Sequence, residues 1–312
     1  MDTHLDLQPA PPREDAQWPQ GAAYLDGTFM PAAEARIPAG DWGYRRSDVT
    51  YDVVGVWDGC FFRLDDHIAR FRASMTRLRM QPRESDAEVR EVLIETVRRS
   101  GLRSAYVSMD CLRGSPAPGA PRIPSSARPW LLCQALPWVW VASLEQQRKG
   151  VSLMIPEVRR IPAESFDPRV KNFHWGDLTD GLFEAEAAGA DFPILLDGAG
   201  HVTEGPGFNV FCVVQGKVLS PRSGALEGIT RRSVLELCED LGLPSEVRDI
   251  PAEEFRAADE IFCATTAGGV WGAGRIDGRA LGNDAPGEIT ERLRTRFWRK
   301  RAEGWHATPV TA

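Results

Sequence analysis

Asp58-Gly59 separates two short runs of β-branched and aromatic residues, Val53-Val54-Gly55-Val56-Trp57 and Cys60-Phe61-Phe62-Arg63-Leu64. An Asp-Gly pair in that setting favours the two-residue hairpin turn whose central residues both take positive φ, because this turn matches the twist of the strands it joins. The segment is therefore expected to be antiparallel. Helical patterns follow. Asp65 or Asp66 opens a run with Ile68, Phe71, Met75 and Leu78 on one stripe, and Ser85 opens a second through Val89, Leu93 and Val97 that Gly101 closes. Ala105–Leu112 and residues 130–141 then read as buried strands.

A polar joint at 143–150 precedes a second half that begins with a strand over 151–159. A helix is expected over 174–188, ended by Gly189. Strands follow at 192–196, 201–203, 209–214 and 217–220, the last two turning at Gln215-Gly216. Residues 229–241 read as a helix closed by Gly242, 260–265 as a strand, and 290–301 as a basic helix. This βαβ alternation is too irregular for a doubly wound parallel sheet. The expected class is α/β with α+β character: two α/β domains with mixed, largely antiparallel sheets. Their bounds are a loose, proline-rich tail over 1–20, a smaller domain over 21–142, a linker over 143–150 and a larger domain over 151–312.

Bulk properties exclude several roles. A net charge of −7 with no basic stripe argues against nucleic acid as a partner. The longest apolar run, 130–142, is broken by Gln134 and Pro137 and falls short of the roughly 20 residues of a membrane span. The N-terminus has neither the basic start nor the apolar core of a signal peptide, so a cytoplasmic location is expected. The 6 cysteines form no CxxC pair and read as reduced, buried thiols. Asp65-Asp66-His67 lacks a spaced partner, so no metal site is expected.

The chain has only four lysines, Lys149, Lys171, Lys217 and Lys300. Lys171 alone lies beside an apolar and aromatic segment, 170–175, where desolvation helps an amine shed its proton. Glu204 stands between a strand-like run and the turn Gly205-Pro206-Gly207, ahead of the apolar strand Asn209-Val210-Phe211-Cys212-Val213-Val214. An amine able to bond an aldehyde and an isolated acid able to face a ring nitrogen are what pyridoxal phosphate needs from a protein. Gly228-Ile229-Thr230-Arg231 opens a helix whose first amides suit a phosphate. Thr265-Thr266-Ala267-Gly268-Gly269 ends a strand in a glycine turn that offers two hydroxyls and a backbone nest.

Val170-Lys171-Asn172, Trp175-Gly176-Asp177 and Glu204-Gly205-Pro206-Gly207-Phe208-Asn209 resemble the motifs of the class IV, fold-type IV, pyridoxal-phosphate aminotransferases, and within them most of all the (R)-selective amine transaminases. The likeness runs from about Tyr24 to the C-terminal region. It implies a smaller N-terminal domain, a larger barrel-like C-terminal domain and a cofactor in the cleft between them. Lys171 matches the catalytic lysine. Glu204 matches the acid on the pyridine nitrogen, and Arg70, Ile229, Thr230, Thr265 and Thr266 match the phosphate cup.

Tyr51, Tyr106, Trp175 and Arg46 match positions that line the substrate pocket, although the two tyrosines read equally well as core packing. Trp271 is expected to narrow one sub-pocket. Two departures bear on substrate choice. Arg46 stands where the amine transaminases usually carry histidine. The loop 113–122 resembles one that carries a movable arginine, but it is proline-rich and the arginine's position falls near Gly119, so Arg122 or Arg46 would supply the charge.

The resemblance implies ping-pong transamination by a homodimer. The amino group of an (R)-configured amine or D-amino acid passes to a ketone or 2-keto acid, with Lys171 as general base and then acid. Aminotransferases for D-amino acids or branched-chain L-amino acids, and a lyase acting on aminodeoxychorismate, share the fold and remain alternatives. A non-catalytic protein that binds a phosphorylated ligand is the rival from another class.

Overall fold

The computed structural model describes residues 7–310, which fall into two compact units. Residues 7–139, 170–174 and 304–310 form the first, and 140–169 with 175–303 form the second.

The first unit is built on an antiparallel sheet. Its strands are β1 (Ala22–Leu25), β2 (Thr28–Pro31), β3 (Val49–Trp57), β4 (Cys60–Phe62), β5 (Ala105–Leu112) and β6 (Trp130–Pro137), and a C-terminal strand, Ala307–Pro309, pairs with β4. Asp58 and Gly59 take φ of 48° and 76°, the positive pair the hairpin requires. Helix α1 (Trp42–Arg46) precedes β3. Helices α2 (Leu64–Arg77) and α3 (Asp86–Ser100) pack on one face, where Val54, Val56, Phe71, Leu93, Val107 and Met109 are buried. Each such side chain contributes about 1.5–3 kcal/mol of burial free energy. Ser85 and Glu88 close a reciprocal capping box at the start of α3, and Gly101 ends it at φ 64°.

The second unit carries a mixed sheet in the order β12–β11–β10–β13–β14–β7–β8, with β9 on β10 and β15 on β14. In chain order these are β7 (Val151–Met154), β8 (Phe192–Pro193), β9 (Glu204–Gly205), β10 (Phe208–Val214), β11 (Lys217–Pro221), β12 (Ser245–Arg248), β13 (Glu260–Thr265), β14 (Gly269–Ile276) and β15 (Arg279–Ala280). The β7–β8, β7–β14 and β11–β12 pairs are parallel and the others antiparallel. The helices are α4 (Leu144–Lys149), α5 (Gly176–Ala188), α6 (Ile229–Asp240), α7 (Ala252–Arg256) and α8 (Glu288–Ala302), of which α6 and α8 pack on β13 and α8 also on β14. The core gathers Trp271, Phe208, Val210, Phe255 and Ile261.

Several expectations need correction. The joint at 143–150 is helix α4, capped by Ser143 and Gln146, and it belongs to the second unit from Trp140 onward. Residues 170–174 belong to the first unit, because Lys171 offers its carbonyl to β3: the Tyr51 N–H donates to it at 3.1 Å and the Thr50 hydroxyl at 2.6 Å. The described part of the expected tail is tied down. The Arg13 N–H donates to the Gly101 carbonyl at 2.8 Å, the Trp18 N–H to that of Arg99 at 3.0 Å, and Leu7 is buried. Residues 1–6 of that tail lie outside the described residues. Helix α2 begins at Leu64 after Arg63, which takes a left-handed φ of 55°, so neither Asp65 nor Asp66 is its cap. Both sit in its first turn, where the helix dipole favours negative charge.

Candidate active site

Strand β3 alternates. Asp52 shares its face with Val54 and Val56, the face covered by α2, while Tyr51 and Val53 point the other way. His67 and Arg70, three residues apart on α2, both reach Asp52. Arg70 donates through Nε at 2.7 Å and Nη2 at 2.8 Å, and His67 Nδ1 lies 2.8 Å from Oδ1. Burial would raise the Asp52 carboxyl, but Arg70 and His67 overcome it and hold the group well below the usual carboxylate range. Burial also lowers the His67 pKa, so the imidazole is neutral, and facing an ionised carboxylate it carries its proton on Nδ1. Arg70 is thereby oriented along one edge of its guanidinium.

Lys171 is anchored through its backbone, by the β3 bonds given above and by its own N–H to Ser74 Oγ on α2 at 3.4 Å. Its ammonium lies 4.4 Å from the Tyr51 ring centroid, and that ring packs against Phe173 at 4.6 Å. Tyr51 is buried and Tyr106 is half-buried. Burial, reinforced by Tyr51, Asp110 and Asp52, pushes the Tyr106 phenol above its ordinary range.

The two arginines considered as carboxylate ligands are both exposed. Arg46 is exposed on α1, its guanidinium carbon 3.7 Å from the Trp42 ring centroid. Arg122 is exposed in the loop before β6. At the base of that loop, Arg113 is held by Asp48 at 2.9 and 3.0 Å and donates to the carbonyls of Leu78 and Arg79.

In the second unit Glu204 is 8 % exposed and fully engaged. Its Oε1 accepts from Arg160 Nη2 at 2.8 Å and its Oε2 from the Leu226 N–H at 3.0 Å. Arg160 also donates to Asp177 Oδ2 at 2.6 Å. Burial disfavours the Arg160 charge, yet Glu204 and Asp177 outweigh that and raise its pKa.

Helix α6 starts after Gly228, whose extended backbone carries no side-chain cap, so the first amides of the helix lack the partner a capping residue would supply. Asn209 braces this turn by donating to the Leu226 carbonyl at 2.8 Å, and a Cβ added to Gly228 would lie 1.9 Å from Asn209 Oδ1. Ile229 and Thr230 are buried at the helix start. The Thr265 hydroxyl donates to the Gly207 carbonyl at 2.9 Å, tying the end of β13 to the turn after Glu204, and half-buried Thr266 follows it. Trp175 precedes α5, half-buried, its Cη2 3.7 Å from where a Cβ on Gly207 would sit. Trp271 does not face a pocket. It is wholly buried among Phe208 and Phe192, with ring centroids 5.0 and 5.5 Å away, because its position on β14 points it into the core.

This arrangement fits pyridoxal phosphate on its own chemistry. A buried carboxylate paired with an arginine suits a protonated ring nitrogen, and an uncapped helix N-terminus whose glycine admits no Cβ suits a phosphate. Residues 50–276 match the family described as Amino-transferase class IV. The chain belongs to this family. It is 31 % identical over 277 residues to a putative branched-chain-amino-acid aminotransferase of Methanocaldococcus jannaschii, covering 88 % of this chain and 94 % of that one. It is 29 % identical over 274 residues to the D-alanine aminotransferase of Bacillus licheniformis, covering 87 % and 94 %. The structure of the branched-chain amino acid aminotransferase from Thermobaculum terrenum in its pyridoxal-phosphate holo form superposes with a TM-score of 0.84 at 26 % identity, covering 95 % of this chain and 100 % of that one.

Two residues escaped the sequence reading. Asp52 had a signal, since a carboxylate in phase with Val54 and Val56 on a buried face demands a cation. Arg160 had none beyond lying in an arginine pair.

Proposed function

We propose that this class IV aminotransferase takes the amino group of an (R)-configured primary amine, or of a D-amino acid, and delivers it to a ketone or 2-keto acid. Its cofactor is pyridoxal phosphate. When bound, that group supplies an electrophilic aldehyde and an electron-accepting pyridinium ring. In this reading Lys171 Nζ would hold the aldehyde of that group, and the same amine would take up and return the proton of the donor's amino-bearing carbon. Glu204 would face the ring nitrogen, positioned by the Arg160 hydrogen bond. The α6 amides with Thr230, Thr265 and Thr266 bind the phosphate, and Arg70 adds a fixed charge.

The observation that carries the choice of amine is the surrounding of Lys171. Its Nζ rests on an aromatic wall of Tyr51 and Phe173, while Arg46 stacks on Trp42 and Arg122 lies exposed. An enzyme for amino acids needs a fixed cation for the carboxylate; one for amines needs pockets that accept apolar groups. A second reading, transamination of branched-chain L-amino acids or D-alanine, draws on the names of the relatives. Initial rates with (R)-1-phenylethylamine, its (S) enantiomer, D-alanine and L-leucine separate them. The (R)-amine is expected to react fastest, and reaction with L-leucine alone would overturn the proposal.

A further inference from the structure

Asp110 lies on β5 directly across from Tyr51 on β3. Cross-strand partners project from the same face, so the carboxylate and the tyrosine ring are neighbours there, and the Lys171 ammonium rests on that ring. Ser108 and Tyr106 follow on the same face of β5 at two-residue steps, and Leu132 on β6 lies opposite Asp110. Asp110 is 8 % exposed, and burial pushes its carboxyl up to about 7 against a single opposing hydrogen bond from Ser108. Asp52 and Glu204 are also buried but hold arginines. Asp110 makes no ion pair with any cation among the described residues. A buried carboxylate left without a cation is unfavourable for the fold alone, and across the strand pair from the tyrosine on which Lys171 rests it marks a ligand-facing group.

We propose that Asp110 is a specificity-determining residue: it pairs with a second, cationic amino group on the donor and repels a donor carboxylate. The preferred donors are then short diamines rather than amino acids. This rests on the reading of Lys171 as the reacting amine.

Three donors of one configuration differ only in the relevant substituent. (R)-1,2-Diaminopropane carries an aminomethyl group, (R)-2-aminobutane an ethyl group of the same size, and D-alanine a carboxylate. At about pH 8 Asp110 is largely ionised. There kcat/KM for the diamine is expected to exceed that for (R)-2-aminobutane by about tenfold, the scale of one charge-assisted hydrogen bond. In Asp110→Asn the ratio should collapse towards one while the rate with D-alanine rises relative to both. Ratios within one preparation do not depend on how much of the variant is folded. An unchanged ratio in Asp110→Asn overturns the proposal.

Calorimetric titration of the cofactor-free protein with the diamine gives a readout that needs no turnover. Binding weakened about tenfold in the variant supports the assignment, and equal binding overturns it. Failure of all three (R) donors alongside reaction of L-leucine would count against the amine reading. The calorimetric comparison would still decide the role of Asp110.

Discussion

Arg160 donates to Glu204 at 2.8 Å and to Asp177 at 2.6 Å, so one largely buried guanidinium joins the acid after β8 to the first turn of α5. The acid proposed to face the cofactor ring is thus held by a charge 44 residues earlier in the chain. Arg160→Met leaves two buried carboxylates without their cation. The expected cost is about 3–5 kcal/mol of stability, together with a weaker hold on the ring proton that shifts the visible band of the bound cofactor. Thermal unfolding and absorbance spectra check both. A variant with unchanged spectrum would show that Glu204 does not need Arg160.

Lys171→Ala removes the amine that rests on Tyr51. The parent protein is expected to be yellow and to change its visible band on adding (R)-1-phenylethylamine. In the variant transamination should fall by at least about 10²–10⁴-fold. A variant retaining near-parental turnover would remove Lys171 from the chemistry.

Gly228→Ala places a methyl group where Asn209 Oδ1 already stands, 1.9 Å from the ideal Cβ. The turn before α6 must shift, and with it the amides assigned to the phosphate. Affinity for pyridoxal phosphate is expected to fall by about tenfold or more, with a smaller change for pyridoxal, which lacks the phosphate. Equal losses for both compounds would place the phosphate elsewhere.

Two carboxylates should shape stability against pH in opposite senses. The Asp52 pKa is depressed, so its contribution is full above its unfolded value near 3.8 and disappears as pH falls through the lower folded value. Asp110 is raised from 3.8 to about 7, so the folded state holds its proton more tightly and stability declines as pH rises between those values. Asp110→Asn is expected to flatten this decline and to unfold at a higher temperature than the parent at about pH 8. Asp52→Asn should lose stability most above about pH 4 and least in strong acid. Melting curves across pH test both signs.

Much of the local structure was legible from short-range chemistry. The Asp58-Gly59 hairpin, the helix start at Ser85 and the ends at Gly101 and Gly189 depend on residues within one turn of each other, and all four form as read. So do the apolar strand after Glu204, β10, and the start of α6 at Ile229. The reading failed where neighbours in space are distant in sequence. The strands expected at 192–196 and 201–203 reduce to the two-residue β8 and single bridges, and β12 and α7 were not anticipated. Trp271 was expected to narrow a sub-pocket, but its register on β14 aims its side chain into the core.

The sequence by itself determined the family, the lone lysine in an aromatic setting, the acid at a glycine turn and the mixed, largely antiparallel class, because each is written in contiguous residues. Tertiary structure decided which charges meet. Asp52 takes Arg70, Glu204 takes Arg160, and Asp110 receives no cation among the described residues. Local pattern shows where a charged group sits along the chain, but its partner depends on strand register and helix packing that bring together residues tens of positions apart.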